Sequence, residues 1–75
     1  MKITVYGTKD CPWTDEVLDM LNTKNKKHDF KDVVEDFAAR EELFSKTKQY
    51  STPVCEIDGN IILGMDKDKI AKLIA

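Results

Sequence analysis

The chain has 75 residues, of which 41% are hydrophobic and 35% charged, and its 12 basic and 14 acidic side chains leave a formal net charge of -2. This balance provides no basic surface for nucleic acid or an acidic membrane, and no apolar run approaches the ~20 residues that a membrane span requires. Two cysteines and the lack of a signal-peptide pattern argue against a disulfide-stapled secreted domain. We therefore expect one cytoplasmic, monomeric domain over residues 1–75, with small molecules or proteins as partners.

The first half of the chain alternates short strand patterns with helical ones. Its predicted elements cover residues 2–6 (strand), 11–23 (helix), 29–34 (strand) and 37–44 (helix). The first helix has an apolar face, formed by Val17, Leu18 and Leu21. In the second helix Phe37, Arg40, Leu43 and Phe44 recur at helical spacing. A helical crossover between the first two strands predicts that they run parallel.

The second half predicts a hairpin followed by a last helix. Val54–Ile57 is an apolar strand, Asp58-Gly59 is a strong two-residue turn signal, and Asn60–Leu63 returns as the partner strand. Gly64 ends that strand, and residues 66–75 predict a helix. Its apolar face comprises Ile70, Leu73 and Ile74. The complete order, β-α-β-α-β-β-α, predicts an α/β domain with a four-stranded mixed sheet and three helices.

A cysteine lies where the first strand gives way to the first helix, in the run Lys9-Asp10-Cys11-Pro12-Trp13-Thr14. The free N–H groups and aligned peptide dipoles at a helix N-terminus favour a thiolate over a thiol. Pro12 suits the first helical position, so the N–H groups of Trp13 and Thr14 should point toward the sulfur. We interpret Cys11 as a nucleophile of low pKa. Lys9 is near enough in sequence to lower that pKa further by Coulomb attraction, whereas the charges of Asp10, Asp15 and Glu16 act in the opposite direction.

Three segments of the chain resemble the glutaredoxins. Cys11-Pro12-Trp13-Thr14 is similar to their Cys-Pro-aromatic-Cys turn, Ser51-Thr52-Pro53-Val54 to their Thr-Val-Pro loop, and Ile62-Leu63-Gly64-Met65-Asp66 to the segment that follows. The last third is most similar to short glutaredoxin-like redoxins, including those that serve ribonucleotide reductase. The resemblance implies a thioredoxin-like fold and thiol-disulfide exchange with glutathione and with protein or small-molecule disulfides.

The same resemblance implies roles for individual substrate-binding residues. The backbone of Thr52 would pair with the substrate, the bond between Thr52 and Pro53 would be cis, and Trp13, next to Pro12, would flank the substrate. No bound cofactor is implied, glutathione being a co-substrate. Because the two cysteines and the one histidine are scattered, no metal site is expected either.

The glutathione subsite departs from the family pattern. Thr8 stands where a basic residue is usual, Leu63-Gly64 replaces paired glycines, and Asp66-Lys67 replaces two acids. Asp66 would still meet the amino group of glutathione beside Gly64. Lys9 or Lys48 would bind the carboxylate of glutathione.

The largest departure is Thr14, which stands where the family carries a second cysteine. A hydroxyl cannot attack a mixed disulfide, but it can donate a hydrogen bond that favours the Cys11 thiolate. We therefore predict a monothiol route, in which an external thiol resolves the glutathionylated Cys11. Cys55 is expected to be a core residue, and a resolving role for it stays open. A threonine here would also fit a substitution made to trap the mixed disulfide.

Two other functions remain open at this point. One is an interaction module that kept the fold and lost turnover. The other is a monothiol glutaredoxin that holds an iron-sulfur cluster between two subunits, although such proteins typically carry Gly-Phe-Ser after the cysteine, where this chain has Pro12-Trp13-Thr14.

Overall fold

The computed structural model describes all 75 residues, Met1–Ala75. Its elements are β1 (Ile3–Gly7), α1 (Pro12–Thr23), β2 (Asp29–Asp32), α2 (Phe37–Thr47), β3 (Val54–Ile57), β4 (Asn60–Leu63) and α3 (Lys67–Ile74). The four strands form one sheet in the order β2-β1-β3-β4. Strand β1 is parallel to β2 and antiparallel to β3, and β3 is antiparallel to β4. The predicted element order and the mixed four-stranded sheet are confirmed.

Alternation along β1 builds a hydrophobic core on each face of the sheet. Ile3 and Val5 belong to a cluster of nine buried residues that includes side chains of α1 and α3. Tyr6 points the opposite way and belongs to a cluster of five, which packs against α2. Because full burial of a side chain such as Leu21 contributes about 1.5–3 kcal/mol, the larger cluster supplies most of the hydrophobic stabilisation.

Two strands end at residues other than those predicted. Strand β1 includes Gly7, which the sequence pattern placed just outside it. Strand β2 ends at Asp32 and not at Val34. The Asp32 carboxylate accepts the N–H groups of Val34 at 2.9 Å and Glu35 at 3.0 Å, and this local turn draws the chain away from the sheet.

Helix α2 is longer than predicted, and two of its three large apolar side chains are exposed. It continues to Thr47, past Phe44. Leu43 is buried, but Phe37 and Phe44 are exposed, and Ala39 is buried in their place. The small alanine side chain lets the helix approach the sheet closely, which leaves the aromatic side chains at the surface. Neither this helix nor the other two is long and apolar enough to cross a membrane.

The hairpin and the segment after it reach the loop that precedes β3. Asp58 and Gly59 have φ values of 48° and 89°, as a tight turn between two strands requires. Gly64 ends β4 with a φ of 76°, and its N–H donates to the carbonyl of Pro53 at 2.9 Å. This hydrogen bond joins two of the segments that the sequence assigns to the site.

Candidate active site

Cys11 is the N-cap residue of α1. Its backbone is extended, with φ -103° and ψ 114°, and its carbonyl accepts the N–H of Asp15 at 2.9 Å. Pro12 follows at the start of the helix, where the lack of an N–H costs nothing. The N–H groups of Trp13 and Thr14 have no partner within the helix, because the first turn of any helix leaves its donors free. The sulfur is half-buried beside these donors.

Hydrogen-bond donors hold the pKa of Cys11 below its ordinary value of 9.0. The largest contribution comes from the Thr14 hydroxyl, followed by the N–H of Thr14, the N–H of Trp13 and the hydroxyl of Thr8, while partial burial of the thiol opposes them. Each of these groups is a dipole and not a full charge. The acidity of Cys11 therefore follows from the geometry of the turn.

The Thr14 hydroxyl occupies an unusual environment. It is fully buried and makes no hydrogen bond of normal distance and angle, although it is the largest cause of the lowered pKa of Cys11. The two observations agree if the hydroxyl donates to the sulfur as the thiolate forms, because a charged acceptor makes a stronger hydrogen bond than a thiol does. An unpaired buried hydroxyl costs about 1–3 kcal/mol, which favours the state that pairs it.

Thr8 is a site residue that sequence reasoning missed, since it entered only as the replacement for a basic residue. Thr8 is half-buried, and its hydroxyl is among the groups that lower the pKa of Cys11. The available signal was the symmetry of the two hydroxyl residues, each three positions from Cys11.

Lys9 is exposed, and it contributes to the lowered pKa of Asp32. The pKa of Asp32 is lowered first by the N–H of Glu35, and then by the N–H of Val34 and by the N–H and charge of Lys9. The causes of the lowered pKa of Cys11 are hydrogen bonds. The role of Lys9 toward glutathione stays a prediction, and so does that of Lys48, which closes α2 in a left-handed conformation.

The loop before β3 presents open backbone groups. The Thr52–Pro53 peptide bond is cis, as the resemblance implied. Pro53 is buried and Thr52 is half-buried. Neither the N–H nor the carbonyl of Thr52 takes part in a backbone hydrogen bond. An extended peptide could add to such groups as a further strand.

A groove of about 410 Å³ runs from Thr8 and Thr52 along the start of α2. The rest of its lining comprises Val33, Val34, Glu35, Phe37, Arg40 and Tyr50. The Arg40 guanidinium lies over the Tyr50 ring at 4.6 Å. Sequence reasoning did not identify this surface, because its lining residues come from separate segments of the chain. Trp13, 62% exposed, also stands at the surface beside Cys11.

Asp66 lies at the start of α3, where its carboxylate accepts the N–H of Lys69 at 3.1 Å. It lines a shallow hollow with Leu63 and Lys67, next to Gly64. Lys67 pairs with Glu16 of α1 at 3.0 Å. One role of Asp66 is thus to cap the helix, and its role toward a ligand stays a prediction.

Cys55 is a core residue, as expected. It is 1% exposed and lies opposite Val5 on β1 and Ile62 on β4. Burial raises its pKa to about 11. Its thiol is therefore neutral at physiological pH and shielded from other sulfurs.

Comparison with known proteins agrees with this architecture. The glutaredoxin family model matches residues 3–62. A glutaredoxin-like 8.6 kDa protein in the rubredoxin operon of Clostridium pasteurianum is 43% identical over 72 residues, covering 96% of each chain. The crystal structure of a mutant of the thioredoxin-like protein BC3987 has a TM-score of 0.92 at 36% identity and covers 97% of this chain and 99% of its own.

A glutaredoxin from Archaeoglobus fulgidus has a TM-score of 0.86, and the match covers 96% of this chain and 84% of that one. At 22% identity, this likeness shows the fold alone. The family model and the Clostridium relative cover most of the chain at substantial similarity. The chain therefore belongs to the glutaredoxin family.

Proposed function

We propose that this protein is a thiol-disulfide oxidoreductase that acts with glutathione by a monothiol route. The observation that carries the proposal is the contrast between its two thiols. Cys11 is half-buried at a helix N-terminus with a lowered pKa, whereas Cys55 is buried in the core with a raised one. One reactive thiol without a resolving neighbour suits a reaction in which the second thiol comes from solution.

In the proposed reaction the Cys11 thiolate attacks the glutathionyl sulfur of a mixed disulfide. A bond forms between these two sulfurs, the original disulfide bond breaks, and the released thiolate takes a proton from solvent. A glutathione thiolate then attacks the glutathionyl sulfur on Cys11, which releases oxidised glutathione and regenerates the Cys11 thiolate. The donors from Thr14 and Trp13 serve both steps, because Cys11 is the nucleophile in the first and the leaving group in the second.

Substrate binding would use the open backbone of Thr52. Its free N–H and carbonyl can pair with the backbone of glutathione or of a peptide, which holds the disulfide in line with Cys11. Trp13 would cover one side of the substrate. The second carboxylate oxygen of Asp66 would accept a hydrogen bond from the amino group of glutathione. Lys9 or Lys48 would bind the carboxylate of glutathione.

The partners that we propose are protein and small-molecule disulfides, with ribonucleotide reductase among the candidates. A reducing compartment such as the cytoplasm suits a reaction that consumes reduced glutathione. The Clostridium pasteurianum relative is a protein of a rubredoxin operon, which supports a redox setting for this chain as well.

Intact-mass analysis tests the proposal. The reduced protein is mixed with oxidised glutathione, and reduced glutathione with glutathione reductase and NADPH is then added. We expect one glutathionyl group on Cys11 that is rapidly discharged. The Cys55→Ala variant should behave like the parent, whereas Cys11→Ser should form no adduct.

Two results would contradict this mechanism. Loss of two hydrogens without an adduct would indicate a disulfide between Cys11 and Cys55. No reaction at all would favour an interaction module. A Thr14→Cys variant serves as the positive control for a dithiol site, since its second thiol should displace glutathione and leave an internal disulfide.

A further inference from the structure

Gly7 is the last residue of β1 and lies on the sheet face that meets α1. Ile3, Val5 and Gly7 alternate along the strand, so they share this face. Gly7 is buried, and its backbone belongs to a regular strand that any residue could adopt. The absence of a side chain must therefore be explained by space and not by conformation.

The space beside Gly7 is filled by Thr14. A Cβ atom on Gly7 would lie 2.5 Å from Thr14 Cγ2, 2.8 Å from Thr14 Oγ1 and 3.2 Å from Phe30 Cε1. Favourable contacts between carbon atoms fall near 3.5–4.0 Å, so a side chain at position 7 would force Thr14 to move. Threonine is branched at Cβ and stiff at χ1, so any such movement turns its hydroxyl as well.

The direction of the Thr14 hydroxyl matters because Cys11 lies one helical turn away. Thr14 is the third residue of α1 and Cys11 is its N-cap, and side chains at these two positions face each other. The hydroxyl is fully buried and has no hydrogen-bond partner of normal distance and angle. A hydrogen bond from this hydroxyl is the largest cause of the lowered pKa of Cys11.

We propose that Gly7 is a positioning residue for Cys11: the empty strand position seats Thr14 against β1 and thereby aims the Thr14 hydroxyl at the sulfur. The branch methyl of Thr14 makes the closest approach, and cysteine has no such branch. The inference rests on the proposed function only in taking Cys11 as the reactive thiol.

The test measures the acidity of the Cys11 thiol and not disulfide exchange. The proposal for Gly7 can therefore fail while the proposed function stands, and the proposed function can fail while the proposal for Gly7 stands. The variants are Gly7→Ala, Thr14→Ala and the combination of both, all in a Cys55→Ala background so that only Cys11 reports. The pKa of Cys11 is read from thiolate absorbance and from the pH profile of its alkylation by iodoacetamide.

We expect Gly7→Ala to raise the pKa of Cys11 and to slow its alkylation at neutral pH several-fold. Thr14→Ala should do the same, and the double variant should match Thr14→Ala alone, because the hydroxyl that Gly7 positions is then missing. Val5→Ala is the matched control: it removes core packing from the same strand face and should lower the melting temperature without moving the pKa.

The proposal is overturned if Gly7→Ala leaves the pKa unchanged, or if it raises the pKa equally in the Thr14→Ala background. Should Gly7→Ala fail to fold, recovery of the fold in the double variant would support the contact, since Thr14→Ala removes both clashing atoms. Failure of the double variant as well would overturn it.

Discussion

The turn before α1 and the third strand each carry one cysteine, and the same thiol becomes more acidic in one place and less acidic in the other. At Cys11, hydroxyl and N–H donors converge on the sulfur and lower its pKa. At Cys55, the neighbours on both flanking strands are aliphatic, and burial raises the pKa to about 11. The surroundings of each cysteine in the fold thus decide the direction in which its pKa shifts.

The two thiols also differ in the groups that act on them, and no cation is among the main causes of the lowered pKa of Cys11. Lys9 lies two positions from Cys11, yet its charge acts on Asp32. The donors around the sulfur are dipoles held by the helix turn. Unlike surface charges, such donors are only weakly affected by salt, because they act at contact distance.

The largest expected difference between the two thiols is in their rates of alkylation. With iodoacetamide at neutral pH we expect one adduct on native protein, at Cys11, and a second at Cys55 only after unfolding. A pKa gap of more than two units alone makes the thiolate fractions differ by roughly 100-fold or more. Peptide mapping after timed quenching measures both rates, and comparable rates in the native state would contradict the buried assignment of Cys55.

Replacement of each cysteine by serine should sharpen the contrast in stability. Cys55→Ser buries a hydroxyl among apolar side chains and should lower the free energy of unfolding by about 1–3 kcal/mol. Cys11→Ser should change it by less than about 0.5 kcal/mol, or raise it, because serine is a good N-cap and Cys11 makes no side-chain cap. Urea unfolding with fitted midpoints and slopes tests this, and Cys55→Ala controls for lost packing. Equal effects at the two positions would count against the prediction.

The smallest effect is a pair of opposite pH dependences. The folded pKa of Cys55 is raised from 9.0, so the stability it contributes is complete below pH 9 and falls as pH rises, by about 1 kcal/mol at pH 10. The folded pKa of Cys11 is lowered, so its contribution is complete above pH 9 and is lost as pH falls through the folded value.

Unfolding measurements on the parent, Cys55→Ala and Cys11→Ala at several pH values isolate these two contributions. With rising pH the parent should lose stability relative to Cys55→Ala and gain it relative to Cys11→Ala. Other titrating groups, including Tyr6 with its pKa raised to about 12, are common to all three proteins and cancel. Slopes of the same sign would refute the assignment of opposite pKa shifts.

Much of the fold could be predicted because its signals are local. The turn at Asp58-Gly59 needs positive φ, and Pro12 needs a helix start, so both features follow from residue type. The end of β2 at Asp32 was missed because an apolar pair, Val33 and Val34, continues the strand pattern past it. The sequence pattern of α2 did not indicate which face is buried, because Ala39 gives a weaker hydrophobic signal than the aromatic residues that the fold leaves exposed.

The candidate site divides in the same way. Cys11 and the role of the Trp13 and Thr14 donors were predictable, since they lie within one helical turn. Their convergence with Thr8 was not, because the direction of a hydroxyl depends on how the loop after β1 folds back. The groove between Thr8 and Thr52 joins segments more than forty positions apart in the chain, and no local pattern encodes such a contact.

Local residue preferences were enough to predict the order of the elements, the tight hairpin and the place of a thiol at a helix start, because each depends on a few neighbouring residues. Tertiary packing sets the raised pKa of Cys55, the unpaired backbone groups of Thr52 and the room that Gly7 leaves for Thr14. Each of these depends on which elements pack together and how closely. Packing of that kind joins residues distant in the chain, and it is settled only when the whole core closes.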